Sequence, residues 1–175
     1  LCREKKELQK SHIIPEFHYR PLYDEKHRFH LISSNSQIPD RPKEKGIWEY
    51  LLCAACEQRI SKWEDYASRV LFRDAAKEVG RGNMHVLLAG IDYTLFKLYL
   101  LSLIWRMSVA KALPWKSVSL GPHEEQLREA LLSGDPLSAN QYPCILTAVL
   151  LDGEYHLDWF LPPVKSKANG HTIYR

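Results

Sequence analysis

Cys53-Ala-Ala-Cys56 places two thiols one helical turn apart, 41 residues after the His12 of Ser11-His12-Ile13-Ile14-Pro15. A thiol pair at this spacing reads as half of a metal site. The helix expected to follow, Glu57-Gln58-Arg59-Ile60-Ser61-Lys62-Trp63-Glu64, would turn both sulfurs toward one ion. A structural zinc takes four Cys or His ligands in a tetrahedron, so two more are required. Cys2 is the third candidate. Lys5 stands where a forward Cys-x-x-Cys would put the next thiol, so a cysteine before Leu1, in a Cys-x-Leu-Cys pair ending at Cys2, is the expected fourth. The alternative is that Cys53 and Cys56 are ordinary buried thiols. By residue type alone His12 has three readings: a catalytic group, a fourth zinc ligand, or a hydrogen-bonded core histidine.

The elements that must hold these residues follow from periodicity and punctuation. Ile13-Ile14-Pro15 is a short apolar stretch whose proline confines it to a strand end, as in the first strand of a small hairpin. Residues 18 to 45 form a long basic segment interrupted by Pro21, Pro39 and Pro42, of the kind that is either functional or disordered. Residues 47 to 52 lead into the thiols. Ile60, Trp63, Ala67, Val70 and Leu71 then form a helical stripe, with Trp63 in the core. Gly80, Gly82 and Asn83 break the pattern, separating an expected unit over 1–78 from another over 84–175.

The second unit reads as a helical body with a β-hairpin. Residues 91 to 112 are apolar on nearly every face, yet Lys97 and Arg106 leave too short an uncharged run to span a bilayer, which needs about 20 residues. A central buried helix is expected there, with Arg106 requiring a partner because a lone buried charge is costly. Pro114 ends it. Gly121-Pro122-His123-Glu124-Glu125 opens a further helix running to Gly134. Residues 145 to 151 and 155 to 161, around Asp152-Gly153, read as a hairpin, and 171 to 175 as a further strand. Cys144, His123 and His156 are taken as structural.

The chain has 175 residues and a net charge of +3. Residues 1 to 62 hold 12 Lys/Arg against 9 Asp/Glu, and the rest hold 12 against 12, so the excess lies with the thiols and His12. This mildly favours a phosphate-bearing partner. Four cysteines, with Cys144 isolated, do not make a disulfide framework, and no secretory signal is visible; a reducing cytoplasm is the expected location, although a start at Leu1 implies residues upstream.

Ser-His-Ile-Ile-Pro-Glu-Phe (11–17) together with Gly-Ile-Trp-Glu-Tyr-Leu-Leu-Cys-Ala-Ala-Cys-Glu (46–57) resembles the HNH endonuclease family. The resemblance covers residues 1 to about 65 and implies an α+β fold: an N-terminal treble-clef or ββα-metal zinc module, here followed by the helical body and the C-terminal β-hairpin. It implies that His12 is the general base of phosphodiester hydrolysis, that Cys2, Cys53 and Cys56 bind structural Zn²⁺, and that a catalytic Mg²⁺ or Mn²⁺ is held nearby. Three positions depart from the family's pattern. Ser11 replaces a metal-binding Asp, Glu57 replaces a metal-binding His, and Trp48 and Glu49 occupy the neighbourhood of an Asn. Glu57 can still offer oxygen to a hard cation, as catalytic-metal ligand, and Asn35, His27 or His30 could reach in.

His18, Tyr19, Arg20, Arg28, Lys43 and Lys45 are candidate contacts to nucleic acid, DNA in the first instance. The implied activity is a metal-dependent endonuclease, with bacterial genome (phage) defence as a possible setting and a second copy or a defence-system protein as possible partner. The alternative is a non-catalytic zinc-finger module that binds nucleic acid or protein. No membrane partner is expected.

Overall fold

The computed structural model describes residues 1–32, 37, 39–73, 76–82, 85–112 and 115–144, and beyond these the backbone of 150–151, 154–155, 165–168 and 171–174. The chain is a mixed α/β protein whose described strands pair only two at a time, all antiparallel. Strand β1 (Leu8–His12) leads through two 3₁₀ turns, Glu16–His18 and Arg20–Leu22, to a hairpin of β2 (Arg28–Leu31) and β3 (Arg41–Glu44). Strand β4 (Trp48–Cys53) then returns to pair with β1 and runs without a break into helix α1 (Ala54–Phe72). A hairpin of β5 (Lys77–Arg81) and β6 (Val86–Ala89) connects to α2 (Tyr93–Val109), and α3 (His123–Ser133) follows.

Pairing of β1 with β4 places Leu8 opposite Cys53 and His12 opposite Trp48. The register slips between Gln9–Leu52 and Lys10–Tyr50, which leaves Leu51 as the extra residue of a bulge. The Leu52 N–H donates to Ser11 Oγ at 3.1 Å, and Ser11 is fully buried. Ser11 therefore satisfies a backbone donor that the disturbed ladder leaves over.

Helix α1 buries Cys56, Ile60, Trp63 and Ala67 along one stripe, as periodicity requires. Helix α2 packs between α1 and α3, which explains a sequence with no polar face. One apolar cluster joins Leu52, Cys53, Cys56, Ile60, Trp63 and Ala67 to Leu98, Leu101 and Trp105 of α2 and Leu127 and Leu131 of α3. The segments over 1–78 and 84–175 thus share a core. Asp92 caps α2, accepting from the Leu95 N–H at 3.0 Å. Gly134 closes α3 at φ 77°, a left-handed conformation that glycine adopts without a Cβ penalty.

Both buried cations of α2 are satisfied. Lys97 donates to the carbonyls of Ser138 and Gln141 at 2.7 and 2.9 Å, which fixes the loop after α3. Arg106 finds the partner that its burial demands in Glu64 of α1, at 2.6 Å. Among the described residues no helix is long and apolar enough to cross a membrane.

The basic segment from 18 to 45 is not an unstructured loop where it is described. Tyr19 and Phe29 enter a second apolar cluster with Ile13, Ile14, Ile47, Ala110 and Trp115, which ties the β2–β3 hairpin to the end of α2. Gly46 is required there. A Cβ on it would overlap the Tyr19 ring. Tyr19, a candidate nucleic-acid contact, is instead a fully buried core residue.

At the C-terminus Leu150–Leu151 pairs with Glu154–Tyr155, and Lys165–Ala168 with His171–Tyr174. Most of the hairpin expected over 145–161 lies outside the described residues, as do Asn35, Asn83, Pro114 and His156.

Candidate metal and active centre

The end of β4 and the first turn of α1 bring three sulfurs together. The ligand atoms of Cys2, Cys53 and Cys56 all lie within 4.8 Å of one another, with Cys2 Sγ to Cys53 Sγ at 3.8 Å. All three cysteines are free, and Cys53 and Cys56 are buried. Cys2 reaches them from the segment before β1, which Arg128 of α3 fastens by donating to the Leu1 carbonyl at 2.9 Å. Backbone N–H groups at the start of α1, first that of Cys56, lower the Cys53 thiol below its ordinary value. Burial pushes the Cys56 thiol up to about 11. Ion binding at this triad must therefore displace a proton that Cys56 otherwise retains. The donor set could hold a metal ion.

A second constellation sits at the other end of β1. His12 Nε2 approaches Glu16 Oε2 at 2.9 Å, a charge contact without hydrogen-bond alignment, effective when the imidazole is protonated. Pro15 and the 3₁₀ turn after it bring Glu16 back over His12, and Tyr23 fixes its other oxygen by donating at 2.6 Å. From α2, Arg106 Nη1 donates to the His12 backbone carbonyl at 2.8 Å while pairing with Glu64. Glu57, in the first turn of α1, feels Arg106 and His12 as favourable charges and meets the Ser11 hydroxyl, but burial is the largest influence and raises its carboxyl above the ordinary range. Glu57 Oε1 is buried without a hydrogen-bond partner. Such an orphaned acceptor is what a water or cation would satisfy.

The structure thus brings His12 and Glu57 into one neighbourhood and adds Glu16, Glu64 and Arg106, which the motif alone did not single out. Glu57 and Glu64 are seven residues apart on the stripe that carries Ile60, and this spacing was the available signal for Glu64. For Glu16 no periodicity helps, because its approach to His12 depends on the turn at Pro15. Glu49 has a different task. Its carboxylate accepts from the backbone N–H groups of Lys111 and Ala112 at 2.8 and 2.5 Å, fastening β4 to the segment just after α2.

The candidate phosphate contacts separate by environment. Arg20 and Lys45 are exposed and Lys43 is half-buried on β3. Arg28 is committed to Asp24, with Nη2 and Nε at 2.8 and 3.1 Å from Oδ2, and this pairing holds the Asp24 carboxyl down at about 2. His18 points inward, with Nε2 hydrogen-bonded to the Tyr99 hydroxyl and its ring against Phe17 and Phe72. Burial first, and then the Arg106 charge, lowers its pKa from 6.5 to about 4. A neutral imidazole offers no cation to a phosphate.

The same shift makes a pH prediction. Between pH 6.5 and 4 the unfolded chain takes up a proton at His18 that the folded chain refuses, so stability is full above that window and falls on acidification through it. His18→Phe keeps a ring in place and removes the proton site. Between pH 7 and 4.5 wild type is expected to lose about 2–3 kcal/mol more than the variant, read from urea midpoints. Equal losses would exclude the role given to His18.

Comparison of the chain with family models, with curated proteins and with solved structures yields no match to any of them.

Proposed function

We propose that the chain is a metal-dependent, HNH-like endonuclease built on a treble-clef zinc module. The observation that carries this reading is the path of β4 into α1, which gathers three sulfurs at one end of β1 and turns Glu57, the residue after Cys56, toward Ser11 and the charge of His12. The thiols suit zinc: Zn–S bonds of about 2.3 Å at tetrahedral angles put sulfurs about 3.8 Å apart, the spacing of Cys2 Sγ and Cys53 Sγ. The fourth ligand position is left to a residue outside the triad.

In hydrolysis His12 takes a proton from the attacking water, and Glu16 stabilises the imidazolium that results. Arg106 fixes the backbone of His12, and Glu57 Oε1 is the free oxygen with which this chain would hold Mg²⁺ or Mn²⁺. When bound, such an ion supplies charge stabilisation at the scissile phosphate. The substrate is nucleic acid, DNA first, with Arg20, Lys43 and Lys45 of the basic segment available to its backbone. Bacterial genome defence is a setting that the HNH resemblance permits.

A second reading, a non-catalytic zinc finger, is favoured by two observations. Ser11 holds the β-bulge where the family's pattern has a metal-binding carboxylate, and among the described residues only the cysteines form a group of three close ligands. Plasmid DNA incubated with the protein and Mg²⁺ or Mn²⁺ separates the readings. His12→Ala is expected to lower the cleavage rate about 10²–10⁴-fold. Equal cleavage by both proteins, or none by either, favours the binding module.

A further inference from the structure

The outer face of the β1–β4 pair carries side chains that neither the metal cluster nor the His12 site uses. Trp48 and Tyr50 project from β4 with 37% and 60% of their surface exposed, their ring centroids 5.8 Å apart and their planes at 86°. Lys10, opposite Tyr50 in register, holds its ammonium 4.6 Å from the Trp48 ring centroid. The intervening residue of β4, Glu49, turns its carboxylate away to Lys111 and Ala112, which keeps its own charge off the aromatic face. Trp48 in turn pairs with His12 across the ladder.

We propose that this face binds unpaired nucleic acid, bases stacking on Tyr50 and Trp48 while Lys10 contacts an adjacent phosphate. Exposed rings interleaved with a cation match a strand that presents both π-faces and negative charge. Duplex bases hide their faces in the stack, so the rings would select single strands or splayed ends. The proposal deepens the nuclease reading and rests on it for one point, that a strand lying here passes His12.

The test measures fluorescence anisotropy of a labelled short oligodeoxythymidylate, and of a duplex of equal length, with the zinc-loaded full chain and no added Mg²⁺. Tyr50→Ala is expected to weaken single-strand binding roughly 5- to 150-fold and duplex binding much less, with Tyr50→Phe restoring it. Lys10→Gln should flatten the salt dependence by about 0.7 in log–log slope. Unchanged single-strand affinity in Tyr50→Ala, equal weakening of both ligands, or no single-strand binding by wild type overturns the proposal. The two readings can fail separately. Ring-dependent binding without His12-dependent cleavage ends the nuclease reading alone, and His12-dependent cleavage with Tyr50→Ala affinity intact ends this one alone.

Discussion

Replacing Cys53 or Cys56 by Ser is expected to release bound metal and unfold the chain, whereas Cys144→Ser leaves both unchanged. Cys53 and Cys56 belong to the apolar cluster that α1, α2 and α3 share, so the site lies in the core and not on an appendage. Binding of a structural zinc contributes apparent free energies of about 10–16 kcal/mol, against a net stability of about 5–15 kcal/mol for a typical domain. A zinc bound here would therefore contribute as much free energy as the whole net stability of such a domain, so its loss is expected to unfold the chain. Cys144 is exposed and stands outside the triad, which makes it the control for a generic effect of thiol removal. Elemental analysis of the purified chain should give one zinc per molecule, and circular dichroism in the presence of a strong chelator should show helix loss. A metal-free protein that melts identically with and without chelator would refute the zinc assignment.

The parts of this arrangement that periodicity controls were legible in the sequence. The stripe through Ile60, Trp63 and Ala67, the buried helix around residues 91–112 and the glycine stop at Gly134 all follow from local rules, and the structure places them accordingly. The closeness of Cys2 to Cys53 and Cys56 also followed, since a metal-grade pair needs further ligands. What escaped depends on contacts between distant segments. Tyr19 reads as one aromatic in a basic loop, and only the absent side chain of Gly46, 27 residues later, makes room for it in the core. Ser11 reads as a lost carboxylate. Its use becomes visible only once the β1–β4 register leaves the Leu52 amide to be satisfied. His18 and Arg28 read as free cations until partial burial against Tyr99 keeps the one neutral and pairing with Asp24 balances the charge of the other.

Arg106 is the residue at which stability and the His12 site meet, and the two contributions can be separated. Its side chain is 2% exposed and pairs with Glu64, itself 22% exposed, so Glu64→Gln leaves a guanidinium in the core without its directly paired carboxylate. That substitution is expected to destabilise the chain by about 3–5 kcal/mol in chemical denaturation. Arg106→Met combined with Glu64→Leu removes both charges and fills the space with apolar atoms, and it should recover most of the loss, because the attraction within a buried pair is largely offset by desolvation. The double variant nevertheless lacks the Arg106 donor to the His12 carbonyl. On the proposed nuclease reading, in which that bond positions His12, the double variant is expected to fold with near wild-type stability and to cleave DNA more slowly than wild type. Recovery of stability and cleavage together would assign Arg106 to the core alone, and a double variant no more stable than Glu64→Gln would show that the pair is held by contacts other than its charges.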